Sequence, residues 1–489
     1  MLLDSLRMGK TWVLVAAIVG SAMTFIDGTA VNVALPVMQR ELGASAAQMQ
    51  WVVEGYALFL ASLILLGGSL GDIYGRRLMF LAGIAIFALA SVGCAFAPNV
   101  DLLVASRCVQ GIGAALAMPE SLALISATFT GAERGRAIGT WSGFASITSA
   151  AGPVIGGWLA QNVSWRGVFI INIPLALCVL VIAARHVPES RDEQAPRQLD
   201  VPGAALATLG LGALTYGLIR SQGGRPDALA WAALAAGIVL LAAFVAVEAR
   251  SPAPMMPLDL FRSRVFTAAN VYTLFLYAAI GGSLYFVPFL LVNVQRYTPT
   301  AAGAALLPFV ILQFTLSRWS GGLMGRIGAR IPLVVGAVFA ALGFAAFAIP
   351  GIGGSYWTTY FPAALLLGLG GAFFIAPLTT IVFDAVPTEK SGVASGVNNA
   401  VARCAGLLAI AAFGIVLTAV FDRDFERRLA RHHVSPRTAQ LARLDRDRLY
   451  AGSVPPEIPA ADRAAVSDAV REGYLAGFRM VMLASVLAC

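Results

Sequence analysis

Long, almost uncharged apolar runs bounded by Gly, Pro and charge clusters dominate this chain, and each is close to the roughly 20 residues that a helix needs to cross a bilayer. Scanning for such runs gives about fourteen helices. They start near Thr11, Gln48, Arg77, Asp101, Arg136, Gly167, Asp200, Ala228, Phe266, Ala301, Ile331, Thr358, Gly392 and Gly473. The seventh and eighth are the weakest, so the reading spans about twelve to fourteen. A closed barrel would instead alternate apolar and polar residues in segments of about ten, a pattern not found here. Most connecting loops are short.

Composition agrees with the pattern. Of 489 residues, 58% are hydrophobic and 12% charged, far from the balance of a soluble domain. The fold class expected is an all-α polytopic membrane protein.

The formal net charge of +8 would suit a nucleic-acid partner if it were clustered. It is distributed by side instead: the short loops on the N-terminal side hold about sixteen Lys and Arg, against about five in the short loops opposite. This places the N-terminus in the cytoplasm and excludes nucleic acid as a partner. A segment of about fifty residues, 421–472, carries about ten more arginines, but long loops cross regardless of charge, and an external loop is expected there. Lys10 precedes an apolar run of about 26 residues, longer than a signal core, so the first run reads as a helix rather than a leader. The last, Gly473 to Cys489, is marginal at about seventeen. Cys94, Cys108, Cys178, Cys404 and Cys489 show no metal or redox spacing and read as small buried hydrophobes. No HExxH, phosphate loop or GxSxG is present; neither cofactor nor metal is expected, nor is the chain expected to be an enzyme.

Two short loops resemble each other. GSLGDIYGRR (Gly68 to Arg77) and GGLMGRIGAR (Gly321 to Arg330) superpose with Gly75 on Gly328 and Arg77 on Arg330. Glu133-Arg134 and Glu389-Lys390 form a second pair in the same relative place. A parallel repeat of two six-helix halves follows. Residues 1–195 make the first half, 196–250 an inserted helix pair, and 251–489 the second half with its external loop.

The first of these loops resembles the one that the major facilitator superfamily places between its second and third helices. IDGTAVNVALP in the first span, LVASRCVQGIGAA (Leu103 to Ala115) in the fourth, AGPVIGG (Ala151 to Gly157) in the fifth, WRGVFIINIP (Trp165 to Pro174) and MMPLDLFRSRVF (Met255 to Phe266) extend the likeness over nearly the whole chain. Together they resemble the fourteen-helix branch of drug/proton antiporters. That resemblance implies the major facilitator fold with two inserted central helices in the bacterial inner membrane. It also implies a latch of Asp72, Gly75, Arg76 and Arg77 against neighbouring helices, made in one access state and broken in the other. Gly325 stands where the second copy would need the aspartate, so the latch is asymmetric. Gly152, Pro153, Gly156 and Gly157 form a motif that goes with exporters, with Thr148 in place of its first glycine. Physically, these residues let the fifth helix bend and pack closely.

Ionisable residues sit inside several of the apolar spans. Asp27, Glu54 and Arg107 each lie roughly 8 to 15 Å below the outer surface at about 1.5 Å per residue, a depth at which they could meet in one cavity. A charge at that depth costs roughly 2.5 to 3.5 kcal/mol and is normally paired or faces a polar pathway. Asp27 is the candidate proton carrier, balanced by Arg107, with a cationic substrate competing for its carboxylate; a static Asp27–Arg107 pair that only fixes packing is the competing reading. Glu54 is a second carboxylate for cations or an interfacial residue near Trp51. Glu120 is expected near the cytoplasmic face and solvated. Tyr56, Asn32, Gln110 and Arg403 are candidate cavity residues, Arg403 either balancing a carboxylate across the halves or packing. Tyr272, Tyr277 and Tyr285 read as cavity or core aromatics, and His432 and His433 as solvated.

The function expected is proton-coupled export of lipophilic, often cationic, drugs or toxic compounds by alternating access. A dedicated exporter of one endogenous metabolite, siderophore or lipid, a non-transporting receptor and a lipid-acting membrane enzyme are the alternatives. Partners are a small-molecule substrate, protons and the bilayer, with a periplasmic adaptor left open and a monomer otherwise.

Overall fold

The computed structural model describes residues 2–191, 198–222, 226–386, 391–431, 434–444, 449, 454–455 and 457–489. The side chains of a few further residues, 321–326 among them, lie outside that description, as do Glu389, Lys390, His432 and His433. Among the described residues the chain is helical throughout. In order the helices are α1 Leu2–Leu42, α2 Ala46–Tyr74, α3 Arg76–Ala95, α4 Val100–Thr128, α5 Gly131–Asn162, α6 Gly167–Ile170, α7 Asn172–His186, α8 Val201–Arg220, α9 Ala228–Glu248, α10 Arg264–Phe289, α11 Pro299–Ala304, α12 Leu307–Ile327, α13 Arg330–Ala348, α14 Tyr356–Asp384, α15 Ser391–Arg431, α16 Pro436–Leu444 and α17 Ala460–Ala488.

Local chemistry sets the boundaries. Ser45 and Gln48 close a capping box at the start of α2, while Asn99, Asp200 and Asp227 accept from the third residue of the helices they open. Each satisfies an amide that the helix leaves without a partner. Gly75 turns α2 into α3 with φ of 122°, and Gly328, its counterpart in the repeat, turns α12 towards α13 with φ of 73°. A Cβ resists that left-handed backbone. Pro288 lies inside α10, and a π-helical turn, Leu290–Val294, follows it.

The helices form two bundles and an inserted pair. α2 and α3 pack on α4, and α1 packs on α5 and α7; in the other bundle α10 packs on α15, α12 and α13 pack on α14, and α15 packs on α17. The inserted α8 and α9 pack on each other, and α8 packs on α2 and α15. Only 11% of the apolar window of α9 is buried by protein. Its remaining surface, all Ala, Leu, Val and similar residues, suits lipid.

Eleven helices among the described residues are long and apolar enough to cross a membrane. α5, α12 and α17 are as long but fall outside that set. The sixth expected span is interrupted at Ile171, giving α6 and α7, and the tenth between α11 and α12. The segment 421–472 is largely helical where described. α15 continues to Arg431, and α17 begins at Ala460 rather than near Gly473. Phe421 and Phe425 stack at 5.5 Å in a core shared with Val466, Ala469 and Val470, so apolar residues scattered between the arginines are what fold it. Arg428 pairs with Asp424 at 2.6 Å and with Glu472.

Candidate functional site

The WRGVFIINIP stretch anchors one wall of the site. Trp165, fully buried, donates to Glu41 at 2.8 Å, and Arg166 lies over its ring and donates to the Ala97 carbonyl at the end of α3. This fixes α6. Phe169 then lies 5.8 Å from the Arg107 guanidinium, and Asn172, the first residue of α7, turns inward.

Asp27 sits at the centre with no exposed surface. Arg107 donates to its Oδ2, and Gln110 and Asn172 donate to its Oδ1 at 3.0 and 3.2 Å. Arg107 also donates to the Val52 carbonyl and to Gln110, and its guanidinium stacks 4.3 Å from the Tyr56 ring. Ser91 on α3 accepts from Gln110 at 2.9 Å and more loosely from Asn172. The carboxylate therefore has a full set of partners, which is what makes a buried charge tolerable.

All these groups belong to the first bundle. The expectation that Asp27 faces a cavity where cargo replaces the proton is not met in this conformation, because α3, α4 and α7 enclose the carboxylate. Gln110 is likewise part of the enclosing ring rather than a cavity wall. Asn32 stands apart, donating to the Gly28 carbonyl of its own helix. Ser91 and Asn172 carry no signal in the sequence that marks them as partners of Asp27. Ser91 is a single hydroxyl in an apolar span, and Asn172 sits inside the quoted motif without a charge to mark it.

Glu54 does not join Asp27. It is fully buried, with both carboxylate oxygens lacking a hydrogen-bond partner among the described residues. It lies one turn from Gln50 on α2, close enough to the α10 phenol Tyr285 to act on it electrostatically. Gln50 accepts from Gln222 at 2.6 Å and lines a small pocket between the bundles with Gln39, Tyr285, Phe289 and Thr418. Glu54 thus belongs to the seam between the halves.

Arg403 reaches the same seam from α15. Its Nη2 donates to the Met118 sulfur at 3.4 Å, across to α4. Tyr272 donates to the Leu333 carbonyl and packs edge-on to Phe374, within the second bundle.

The predicted latch residues gather at the α2–α3 turn. Asp72 accepts two hydrogen bonds from Arg76, at 3.0 and 2.8 Å. Glu189, beyond α7, accepts from the Arg77 and Leu78 amides, and Arg77 donates to the Val187 carbonyl. A Cβ on Gly75 would stand 2.7 Å from the Glu189 carboxyl. Each of these contacts stays within the first bundle. Glu120, expected to be solvated, is 1% exposed: its carboxyl occupies the space where Gly71 lacks a side chain, 2.2 Å from an added Cβ.

The glycine-rich motif in α5 packs by close approach. A Cβ on Gly152 would fall 1.9 Å from the Thr29 hydroxyl, and one on Gly156 2.5 Å from the Ala30 carbonyl. On the other face, Gly157 would meet the Pro299 carbonyl at 2.3 Å, and Gly303 that of Pro153 at 2.1 Å. The bundles therefore touch backbone to backbone there, with Thr300 donating to Gln161 at 2.7 Å.

Two helical bundles around a seam, with buried charges facing it and beside it, define a membrane transporter rather than an enzyme. Residues 17–412 match the Major Facilitator Superfamily, and the chain belongs to that family. It is 35% identical to the multidrug resistance protein Stp of Mycobacterium tuberculosis, over 96% of this chain and 88% of that protein. It is also 35% identical to the tetracenomycin C resistance and export protein of Streptomyces glaucescens, with the same coverage. The methylenomycin A resistance protein of Streptomyces coelicolor is 34% identical over 83% of this chain and 85% of its own length. In fold, the chain resembles a bacterial homolog of the human lysosomal transporter Spinster in an inward-facing, unoccupied conformation, with a TM-score of 0.68, 16% identity and coverage of 98% and 95%.

Proposed function

We propose that this protein is a proton-coupled antiporter that exports lipophilic drugs or toxic compounds across a bacterial inner membrane, its N-terminus in the cytoplasm. The relatives named for drug resistance and export over almost the full chain support the export reading. A buried ion pair in the first bundle supports the coupling, since intramembrane charge is costly unless it serves a pathway.

The observation that carries the mechanism is the chain of contacts from Asp27 through Arg107 to Tyr56. Protonating Asp27 frees Arg107 from its counter-charge, and the shift passes through the stacked Tyr56 ring to the seam where Arg403 approaches. Coupling is thus indirect: the proton and the cargo occupy neighbouring sites rather than exchanging on one carboxylate. Glu54, which has no hydrogen-bond partner among the described residues, receives the positive charge of a cationic substrate when the bundles part at the seam. The contacts of Gly157 with Pro299 and of Gln161 with Thr300 hold the two bundles together at one end, which on this reading is the outer one. One charge crossing is worth about 2.3 kcal/mol per 100 mV, enough to hold a gradient of roughly fiftyfold.

The test is efflux of rhodamine 123 from proteoliposomes under an imposed pH gradient. Gradient-driven efflux that disappears in Asp27→Asn is expected, and efflux by that variant at the native rate overturns the coupling. Efflux confined to one compound among several unrelated ones would favour a dedicated exporter. No efflux of any compound would favour a receptor.

A further inference from the structure

Arg403, like Glu54, reaches the seam with few hydrogen-bond partners among the described residues. Among the described residues its hydrogen bonding is confined to the Met118 sulfur, while Nε is enclosed with no acceptor. Among the described residues, the ionisable groups near enough to act on it are the Tyr56 and Tyr277 phenols and the Cys404 thiol. The side chain is nevertheless not sealed, since part of its surface remains open. A guanidinium is a planar fork of donors. Held beside the Met118 thioether of the opposite bundle, it has no oxygen acceptor among the described residues to offset its desolvation.

Register along the α2–α15 seam locates it against Glu54. A Cβ on Gly414 would stand 2.4 Å from the Gln50 amide, and one on Gly396 2.7 Å from Leu65. The helices therefore run antiparallel, and Arg403 lies level with about residue 60 of α2, roughly 9 Å deeper than Glu54 at about 1.5 Å per residue. A carboxylate from one bundle and a guanidinium from the other, neither with a matching partner among the described residues, thus stand along one seam at different depths.

We propose that Arg403 is the recognition site for an anionic group on the cargo, a carboxylate or a comparable planar oxyanion attached to an aromatic or lipophilic body that packs on Tyr56 and Tyr277. The inference rests on the export reading and narrows it to substrates that carry such a group, alone or opposite a cation at Glu54. The guanidinium forms two parallel hydrogen bonds to the oxyanion, and the rings supply the apolar walls.

A matched pair of dyes tests this: rhodamine 110, a free carboxylic acid, and rhodamine 123, its methyl ester, titrated by fluorescence anisotropy against the purified full chain in detergent. The wild type is expected to bind the acid more tightly than the ester. Arg403→Gln is expected to weaken acid binding by roughly tenfold or more, the scale of a charge-assisted hydrogen bond, and to collapse the acid-to-ester ratio. Arg403→Lys, which keeps the charge but not the fork, is expected to give an intermediate ratio; it carries the test if Arg403→Gln does not elute as a folded monomer. An unchanged ratio in the variants, or no binding of the acid by the wild type, overturns the inference. Proteoliposome efflux separates the two readings. Gradient-driven efflux without an Arg403-dependent preference overturns the inference alone; an Arg403-dependent preference with movement indifferent to the gradient retains it and overturns the antiport.

Discussion

Asp27 and Glu54 are both fully buried carboxylates, yet their surroundings predict opposite responses to neutralisation. Asp27→Asn leaves Arg107 enclosed without its counter-charge, so unfolding in detergent should become easier by about 3 kcal/mol, the usual cost of breaking a buried pair from one side. Glu54→Gln removes a carboxylate that has no hydrogen-bond partner among the described residues, and should leave stability unchanged or raise it while reducing rhodamine 123 efflux severalfold. Thermal unfolding of the two variants side by side checks the contrast. Asp27 and Arg107 were legible in the sequence because charges are conspicuous in apolar spans. Their partners were not: Ser91 and Asn172 are ordinary polar residues whose meaning depends on which faces of α3 and α7 turn inward.

Among the helices, α5 is the one whose sequence announces a packing role and whose neighbours make that role specific. Its glycines allow contact with α1 on one face and with α11 of the other bundle on the opposite face. Gly156→Val should disturb only the first bundle, whereas Gly157→Val should push Pro299 away and separate the bundles. Spin labels at Gln161 and Thr300, which are hydrogen-bonded here, should report a longer distance in Gly157→Val and little change in Gly156→Val, with an overpacking cost of about 1 to 3 kcal/mol in each. The α2–α3 turn gives a second case. Gly71→Ala should destabilise the protein because the Glu120 carboxyl already fills that space, and Gly71→Ala combined with Glu120→Ala should recover most of the loss. The glycines of the turn were readable as tight-turn residues, but Glu120 was not readable as their filling, since depth along α4 does not say which helix it faces.

Among the described residues the two bundles meet through few polar groups, and alternating access requires that these contacts exchange as a set. Labels at Gln161 and Thr300 in the wild type should therefore move apart when substrate and an opposed pH gradient are applied, while a pair within the first bundle, at Asp72 and Glu189, holds its distance. Unchanged Gln161–Thr300 distances under both conditions would argue against rocking about this seam. Hydrophobic run length, loop charge and the paired GSLGDIYGRR and GGLMGRIGAR loops were enough to read a helical membrane protein of two halves, because lipid demands long uninterrupted helices and therefore leaves its mark residue by residue. Helix rotation leaves no such mark: a one-residue turn of about 100° carries a side chain from seam to core. The enclosure of Asp27 by its own bundle, the burial of Glu54 beside the seam, the reach of Arg403 across to Met118 and the helical fold within residues 421–472 all depend on contacts between distant segments, and only packing in three dimensions supplies those.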